Sequence, residues 1–404
     1  MRTGLSMFAV SLALVAGLPA RATDEARVEQ LEKEVADLKV LVHDLLAERE
    51  AANAESARDA HGVPQHDDPS APPRLTLRGF ADLNYGIESE DPRDGHGSTS
   101  NQFTNGDIDL FITSQIAEQL DFLSEVVLAS EVEGDSELEI ERMLLRWEPR
   151  DWFQMALGRG HTPLGYWNRQ FHHGTWLQTT VERPLVFRFE DDGGVLPMHY
   201  VGLELSGNVE TAPGLISYVV GAANGRGPTP EWVQQKDDRN DGKAVAAMVT
   251  FHPSAIEGLA IGANVYADEI PPEHGVPARA HHIDERIAGL QLTYTEDPFE
   301  VLLENQFIHH WDATTNHAYD SYGGYLQLAY RWGKLKPYYR FDWLELDDRD
   351  PFYFGFDEAE DGLQQTVGVR WDWRTWCALK VEYRALFGSS HDSNQGGAQV
   401  SFAF

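Results

Sequence analysis

Histidine supplies the first side chains in this sequence whose type and spacing could do chemistry. Pairs occur at His172-His173, His281-His282 and His309-His310, with His161, His274 and His317 nearby. Imidazoles grouped with carboxylates bind zinc and other transition metals. Neighbouring residues on an extended strand point to opposite faces, however, and no HxH or HExxH spacing puts two imidazoles on one side. Polar loop residues are therefore the default reading of these histidines, and no metal site is assigned to them. The sequence has no Gly-rich phosphate loop, no GxSxG elbow and no carboxylate pair of defining spacing, so neither an enzymatic activity nor a cofactor is expected. The single cysteine, Cys377, excludes an intramolecular disulfide framework and thiolate metal sites.

Charge at alternate positions is the second chemical feature. In "KPYYRFDW" Tyr339, Phe341 and Trp343 share one face of an extended strand, and Lys336, Arg340 and Asp342 share the other. Val367, Val369 and Trp371 likewise oppose Arg370 and Asp372. Leu379, Val381 and Tyr383 oppose Lys380, Glu382 and Arg384, and Arg78 near the first strand has the same setting. The expectation is a basic wall of Arg78, Lys336, Arg340, Arg370, Lys380 and Arg384 on one face of a sheet whose other face is apolar. In "ELEIERMLLRW" no single register suits both Arg142 and Leu144, which predicts a bulge or an early exit of the chain into the lumen there.

The elements that must position these side chains are strands. From Arg74 onwards period two dominates, as in "RLTLRGFADLNYGIE", "GLQLTYT" and "YLQLAYRW". The pattern gives about sixteen strands beginning near residues 74, 104, 120, 136, 152, 198, 214, 241, 257, 283, 298, 318, 335, 361, 376 and 395. The connections alternate between short ones, such as "AEQLD", "EPRD" and "DWRTW", and mostly long polar ones, such as "NGRGPTPEWVQQKDDRND". Short turns at one end and long loops at the other are the asymmetry of an outer-membrane barrel, and a soluble sandwich has no reason to sort its loops this way. Trp147, Trp152, Trp332, Trp373 and Trp376 flank short turns, where an interfacial aromatic girdle belongs. The closing stretch "QVSFAF" puts Val400, Phe402 and Phe404 on one face, again suited to lipid. Arg or Lys on that face would cost about 2–4 kcal/mol near the bilayer midplane, so the charged face is assigned to the interior.

The residues before Arg74 read differently. Residues 1–22 carry Arg2, an apolar stretch from Leu5 to Leu18 and Ala20-Arg21-Ala22, the pattern of a secretory signal peptide. In residues 23–50, Val28, Val35 and Val42 recur every seven positions and Leu31, Leu38 and Leu45 come three later, an a/d coiled-coil seam. Val at a with Leu at d leans towards two strands, and the rest of the chain could impose three. Residues 51–73 have a linker's composition, and 74–404 form the barrel. The formal net charge of -33 makes nucleic acid and anionic headgroups poor direct partners, and it suits divalent cations or cation-bridged lipid. The expected fold class is therefore all-β, a transmembrane antiparallel β-barrel of about sixteen strands preceded by a short α-helical coiled coil.

An export signal, a coiled coil, a linker and a barrel closed by "QVSFAF" resemble the Gram-negative outer-membrane porins with an N-terminal coiled coil, such as the dicarboxylate-type and phosphate-selective trimeric groups. The resemblance implies a passive diffusion channel for small hydrophilic or charged solutes. It implies a homotrimer in outer-membrane lipid and lipopolysaccharide with its coiled coil in the periplasm, and reading of Phe404 by the barrel-assembly machinery. It further implies that the third external loop, from about His161 to Pro197, folds inward and narrows the lumen. On that loop Glu182, Glu190, Asp191 and Asp192 would face the basic wall and set up a transverse field. Two other functions stay open at this level: an outer-membrane receptor for a metal chelate or siderophore, and an adhesin-like or enzyme barrel.

Overall fold

A computed structural model describes residues 75–92, 98–130, 136–172, 174–188, 194–232, 238–353, 361–388 and 391–404. The signal peptide, the coiled coil and the linker lie outside the described residues. The strands are β1 (Leu75–Pro92), β2 (Ser98–Ala117), β3 (Leu120–Ser130), β4 (Ser136–Arg150), β5 (Phe153–His161), β6 (His199–Thr211), β7 (Gly214–Ala223) and β8 (Ala244–Pro253). They continue as β9 (Leu259–Ile270), β10 (Ile283–Tyr294), β11 (Phe299–Asp312), β12 (His317–Tyr330), β13 (Leu335–Glu345), β14 (Gly362–Arg374), β15 (Cys377–Gly388) and β16 (His391–Ala403). Each pairs antiparallel with its neighbour in sequence, and β1 pairs with β16, so the sheet closes on itself and leaves no open edge.

Alternation along each strand explains why the sheet closes rather than stacks. In β10, Glu285, Ile287, Gly289, Gln291 and Thr293 are buried, while Arg286, Ala288 and Leu290 are exposed. Such a strand has one face for an interior and one apolar face for a surrounding. The exposed large apolar side chains, among them Leu83, Leu157, Val265, Leu290, Val367 and Val381, lie on that second face around the ring. Trp147, Trp152, Trp332, Trp373 and Trp376 are also exposed, beside the two-residue to five-residue turns that come after β2, β4, β6, β8, β10, β12 and β14. At the opposite end the connections between β5 and β6, β7 and β8, β9 and β10, and β13 and β14 are longer, at 12 to 37 residues, whereas those after β1, β3, β11 and β15 have two to five.

The expected bulge in β4 is present. Arg142 pairs with Glu125 and Ile140 with Val126, so Glu141 is an extra residue on its strand. The insertion turns Glu141 and Arg142 to the same side, which alternation alone forbids. It thereby turns Arg142 and Leu144, which share a face by alternation, to the inside while Leu138 and Ile140 stay exposed, and Leu144 packs on Leu123 and Ala156.

The chain between β5 and β6 runs inside the ring. Its helix α1 (Gly165–Gln170) lies against β9 and β10, and its 3₁₀ turn Leu185–Phe187 against β12 and β13. Its side chains and backbone also bond to β11, β14, β15 and β1. One segment can reach strands from β9 round to β1 only from within a closed barrel. Leu164, Trp167, Leu185, Val186, Phe187, Leu196 and Met198 are buried there with Ile283, Ile287, Leu302, Tyr325 and Leu344 of the wall. Burying each such side chain stabilises by about 1.5–3 kcal/mol, which accounts for an ordered loop.

Candidate functional site

The site is the strap formed by this loop and the wall beneath it. Gly165 opens α1 at φ +79, a left-handed conformation that costs glycine nothing. Its placement brings the N–H groups of Tyr166 and Trp167 onto the Glu304 carboxylate, at 2.5 and 2.9 Å, with the Tyr325 hydroxyl donating to the same group at 2.6 Å. The Trp167 ring meets Tyr325 edge to face at 5.7 Å. Burial, with Glu300 and Glu304 nearby, pushes the Tyr166 phenol up to about 12.

Beyond α1 the loop is held mainly through its backbone. Arg340 donates to the Thr180 hydroxyl at 3.0 Å, to the carbonyls of Glu182 and Arg183 at 2.8 Å each, and to Asp342 at 2.9 Å. Arg370 donates to the carbonyls of Trp176 and Gln178 at 2.8 Å each, with Trp176 also stacked on its guanidinium. Lys380 donates to the carbonyls of Thr175 and Thr180. In the other direction the Val181 N–H donates to Glu382 at 2.8 Å, the Thr179 hydroxyl to Glu300 at 3.0 Å, and the Leu185 N–H to Asp342 at 3.2 Å. Lys336 bonds Glu300 at 2.6 Å. A second clasp lies at the loop's exit, where Arg226 donates to the carbonyls of Gly194 and Val195 and to Glu285, and His310 bridges Glu285 and Asp350.

The wall cations therefore do something that strand parity alone does not specify. Arg340 is 0%, Lys380 1% and Arg370 8% exposed, because the loop lies directly on them and its carbonyls take up their protons. Lys336 and Arg384 are mostly covered, and Arg78 alone of the six is exposed. Glu182 meets Arg384 at 3.6 Å, a contact pair rather than charges facing across a gap. Glu190, Asp191 and Asp192 lie outside the described residues.

On the opposite wall the structure brings together residues that the sequence pattern did not single out. Arg146 and Asp121 form a bidentate pair at 2.7 and 3.0 Å and keep 37% and 25% of their side-chain surface accessible. Arg142, paired with Glu125, lies 5.4 Å over the Phe111 ring. Their signal was the bulge: Arg142, Leu144 and Arg146 share one face by alternation, and the insertion of Glu141 turns that face inward while Leu138 and Ile140 stay outside.

The Glu182 pair has a pH consequence. The Arg384 guanidinium, helped by Arg188, Arg183 and Arg340, holds the Glu182 carboxyl below its ordinary 4.5. A depressed carboxyl contributes stability that is present above its ordinary value and is lost as pH falls through the depressed one. Because Glu182 is half exposed, the contribution is modest. Loop excursions, read as current noise or protease nicking, should rise as pH falls below the ordinary carboxyl value of 4.5 and through the depressed one, and Glu182→Gln should remove part of that acid onset. An unchanged acid profile in Glu182→Gln would show that the pair does not hold the loop.

A closed sixteen-stranded antiparallel barrel with an apolar outer face and an aromatic rim is the fold of the Gram-negative outer-membrane porins. No protein-family model and no curated protein sequence matches the chain. Among solved structures it is similar to the outer membrane channel DcaP of Acinetobacter baumannii, with 15% identity, a TM-score of 0.57, and coverage of 85% of this chain and 100% of that one. It is similar to the anion-selective porin from Comamonas acidovorans, with 12% identity, a TM-score of 0.56, and coverage of 82% and 100%. A loop-deletion mutant of OmpT, an outer membrane protein of Vibrio cholerae, matches with 14% identity, a TM-score of 0.51, and coverage of 82% and 99%.

Proposed function

We propose that the protein is a passive diffusion channel of the outer membrane for small hydrophilic or charged solutes, narrowed by the inward-strapped loop between β5 and β6. The observation that carries this reading is the use of wall cations. Buried Arg340, Arg370 and Lys380 hold the backbone of one internal segment in place, and partly exposed Arg146, Arg142 and Asp121 face it from the other side. A fixed strap and a polar opposing wall make a constriction of set width with charged lining, which is how pores select without binding tightly. The porin fold of its structural neighbours supports the location. The heptads of residues 23–50 support self-association, for which we propose a homotrimer with its coiled coil in the periplasm. No enzymatic step and no cofactor enter this reading.

Planar-bilayer recording of the purified protein tests it. Stepwise ohmic conductance is expected, closing in three steps for a trimer, with a reversal potential that responds to Arg146→Ala. A protein that inserts and stays silent, and that instead binds a metal chelate tightly, would favour the receptor reading and overturn this one.

A further inference from the structure

Four side chains from four separate places converge in the barrel at the base of the strap. Glu141 is the inserted residue of the β4 bulge, His161 ends β5, His172 lies just past α1 and His199 begins β6. Potential ligand atoms of all four lie within 4.8 Å of one another, and all four residues are buried. His161 and His199 are direct cross-strand partners. The Nε2 atoms of His172 and His199 are 2.9 Å apart, and each also lies against Glu141 Oε2, His172 at 3.2 Å. The His161 ring stacks on that of His172 at 3.5 Å, and its Nε2 is buried without a hydrogen-bond partner.

Proton placement shows which atoms this cluster presents to a ligand. Asn168 donates through Nδ2 to two carbonyls, those of Thr162 and Met198, at 2.9 Å each. Its Oδ1 must therefore be the atom facing His172 Nδ1 at 2.8 Å, and an amide oxygen only accepts. The proton of neutral His172 is thus on Nδ1, and its Nε2 presents a lone pair to the cluster. The Glu141 oxygen beside it also only accepts. Lone pairs of His172 and Glu141 therefore point at the same small volume as His199 Nε2, with the unpartnered His161 Nε2 close by. Several imidazolium charges stacked at these distances would repel one another.

A cation resolves the arrangement, and we infer that Glu141, His161, His172 and His199 form a binding site for a divalent transition-metal ion, zinc being the best match. Three imidazoles and one carboxylate suit zinc in four-coordination, with the second ring nitrogen of a ligand held by an outer acceptor, as Asn168 holds His172. Zinc-to-nitrogen bonds of about 2.0–2.1 Å place tetrahedral ligands roughly 3.4 Å apart. The observed 2.9 and 3.2 Å separations need only a small outward shift. The other three-residue group among the described residues, Glu269, His282 and Asp284, is exposed to partly exposed and lacks such a shell. The ion would join β4, β5 and β6 to the strap, on the side away from the Arg340 clasp. Sequence spacing conceals the site, since His161 and His199 meet only because the loop returns β6 beside β5.

The test is zinc titration of the full chain, folded in detergent and stripped with a chelator, against a chromophoric competitor. Cobalt(II) serves as a spectroscopic probe of coordination. About one equivalent of zinc per chain is expected, with cobalt absorption of tetrahedral intensity. His199→Gln should lower affinity at least about a hundredfold and Asn168→Ala by about 10–100-fold, while His309→Gln on the outer face leaves it unchanged. Circular dichroism and heat-dependent gel migration verify the barrel in each variant, and Asn168→Ala, which keeps every ligand, serves if His199→Gln does not fold. A folded wild-type chain that takes up no zinc overturns the inference, as does uptake that persists in a folded His199→Gln variant. Neither readout uses conductance, so failure here leaves the channel reading standing and a silent channel leaves this one standing.

Discussion

Arg340→Met should release the strap and raise single-channel conductance and its noise more than any other single substitution in the wall. The guanidinium is completely buried and spends its protons on the Thr180 hydroxyl, the carbonyls of Glu182 and Arg183, and Asp342. Met keeps much of the volume and none of the donors. The loop acceptors and the Asp342 charge are then left buried and short of partners, for which loss of one member of a buried pair costs about 3–5 kcal/mol. At about 1.4 kcal/mol per tenfold change, the population with the loop displaced rises by roughly two to three and a half orders of magnitude. The cost falls on the loop, because the wall keeps its ladder of backbone pairs with β12 and β14. Limited proteolysis at Arg183 or Arg188 supplies a readout independent of current. Wild-type conductance together with wild-type protease resistance in Arg340→Met would show that the apolar contacts of Trp167, Val186 and Phe187 hold the loop unaided.

That clasp also marks the limit of what the sequence states. The barrel was legible because period two and turn chemistry are local: the predicted starts at residues 120, 136, 214, 283 and 335 coincide with those of β3, β4, β7, β10 and β13. The largest differences are in β2, which begins at Ser98 rather than near 104, and β16, which begins at His391 rather than near 395. "STSNQ" and "HDSN" are polar on both faces, so no apolar row announces that the strands extend there. Parity likewise put Lys336, Arg340, Arg370, Lys380 and Arg384 on the inner face. It is silent on what covers that face, and so it offered a field across an opening where the structure has carbonyls in contact. The histidine cluster was hidden for a related reason. Spacing rules look for ligands one to four residues apart, whereas Glu141, His161, His172 and His199 are assembled by a bulge, a strand pairing and a loop return. The conflict read in "ELEIERMLLRW" was the one local trace of it, since the inserted residue of that segment is Glu141 itself.

Phe404→Ser should leave the finished barrel nearly as stable as before, yet sharply reduce how much of it reaches the outer membrane. The two halves of this result separate stability from recognition. Phe404 extends the ladder past β16: its N–H and C=O both bond Gly79, at 2.9 Å each, and serine keeps these bonds. Its ring is 60% exposed, 6.3 Å from that of Phe402, and only its inner edge touches Gly79. Full burial of such a side chain is worth about 1.5–3 kcal/mol, so a ring more exposed than covered contributes roughly 1 kcal/mol. Closure itself rests on the long register from Phe80 opposite Ala403 to Pro92 opposite His391, which the substitution does not touch. The denaturant midpoint of protein refolded in detergent should therefore move little. A large loss of assembled protein in cells would then arise before the barrel is complete, the outcome expected if the exposed aromatic end of β16 serves as an assembly signal. Equal losses in refolded stability and in cellular yield would assign Phe404 to packing alone. Normal yield would remove it as an assembly signal, and closure would rest on the β1–β16 ladder without help from the terminal ring.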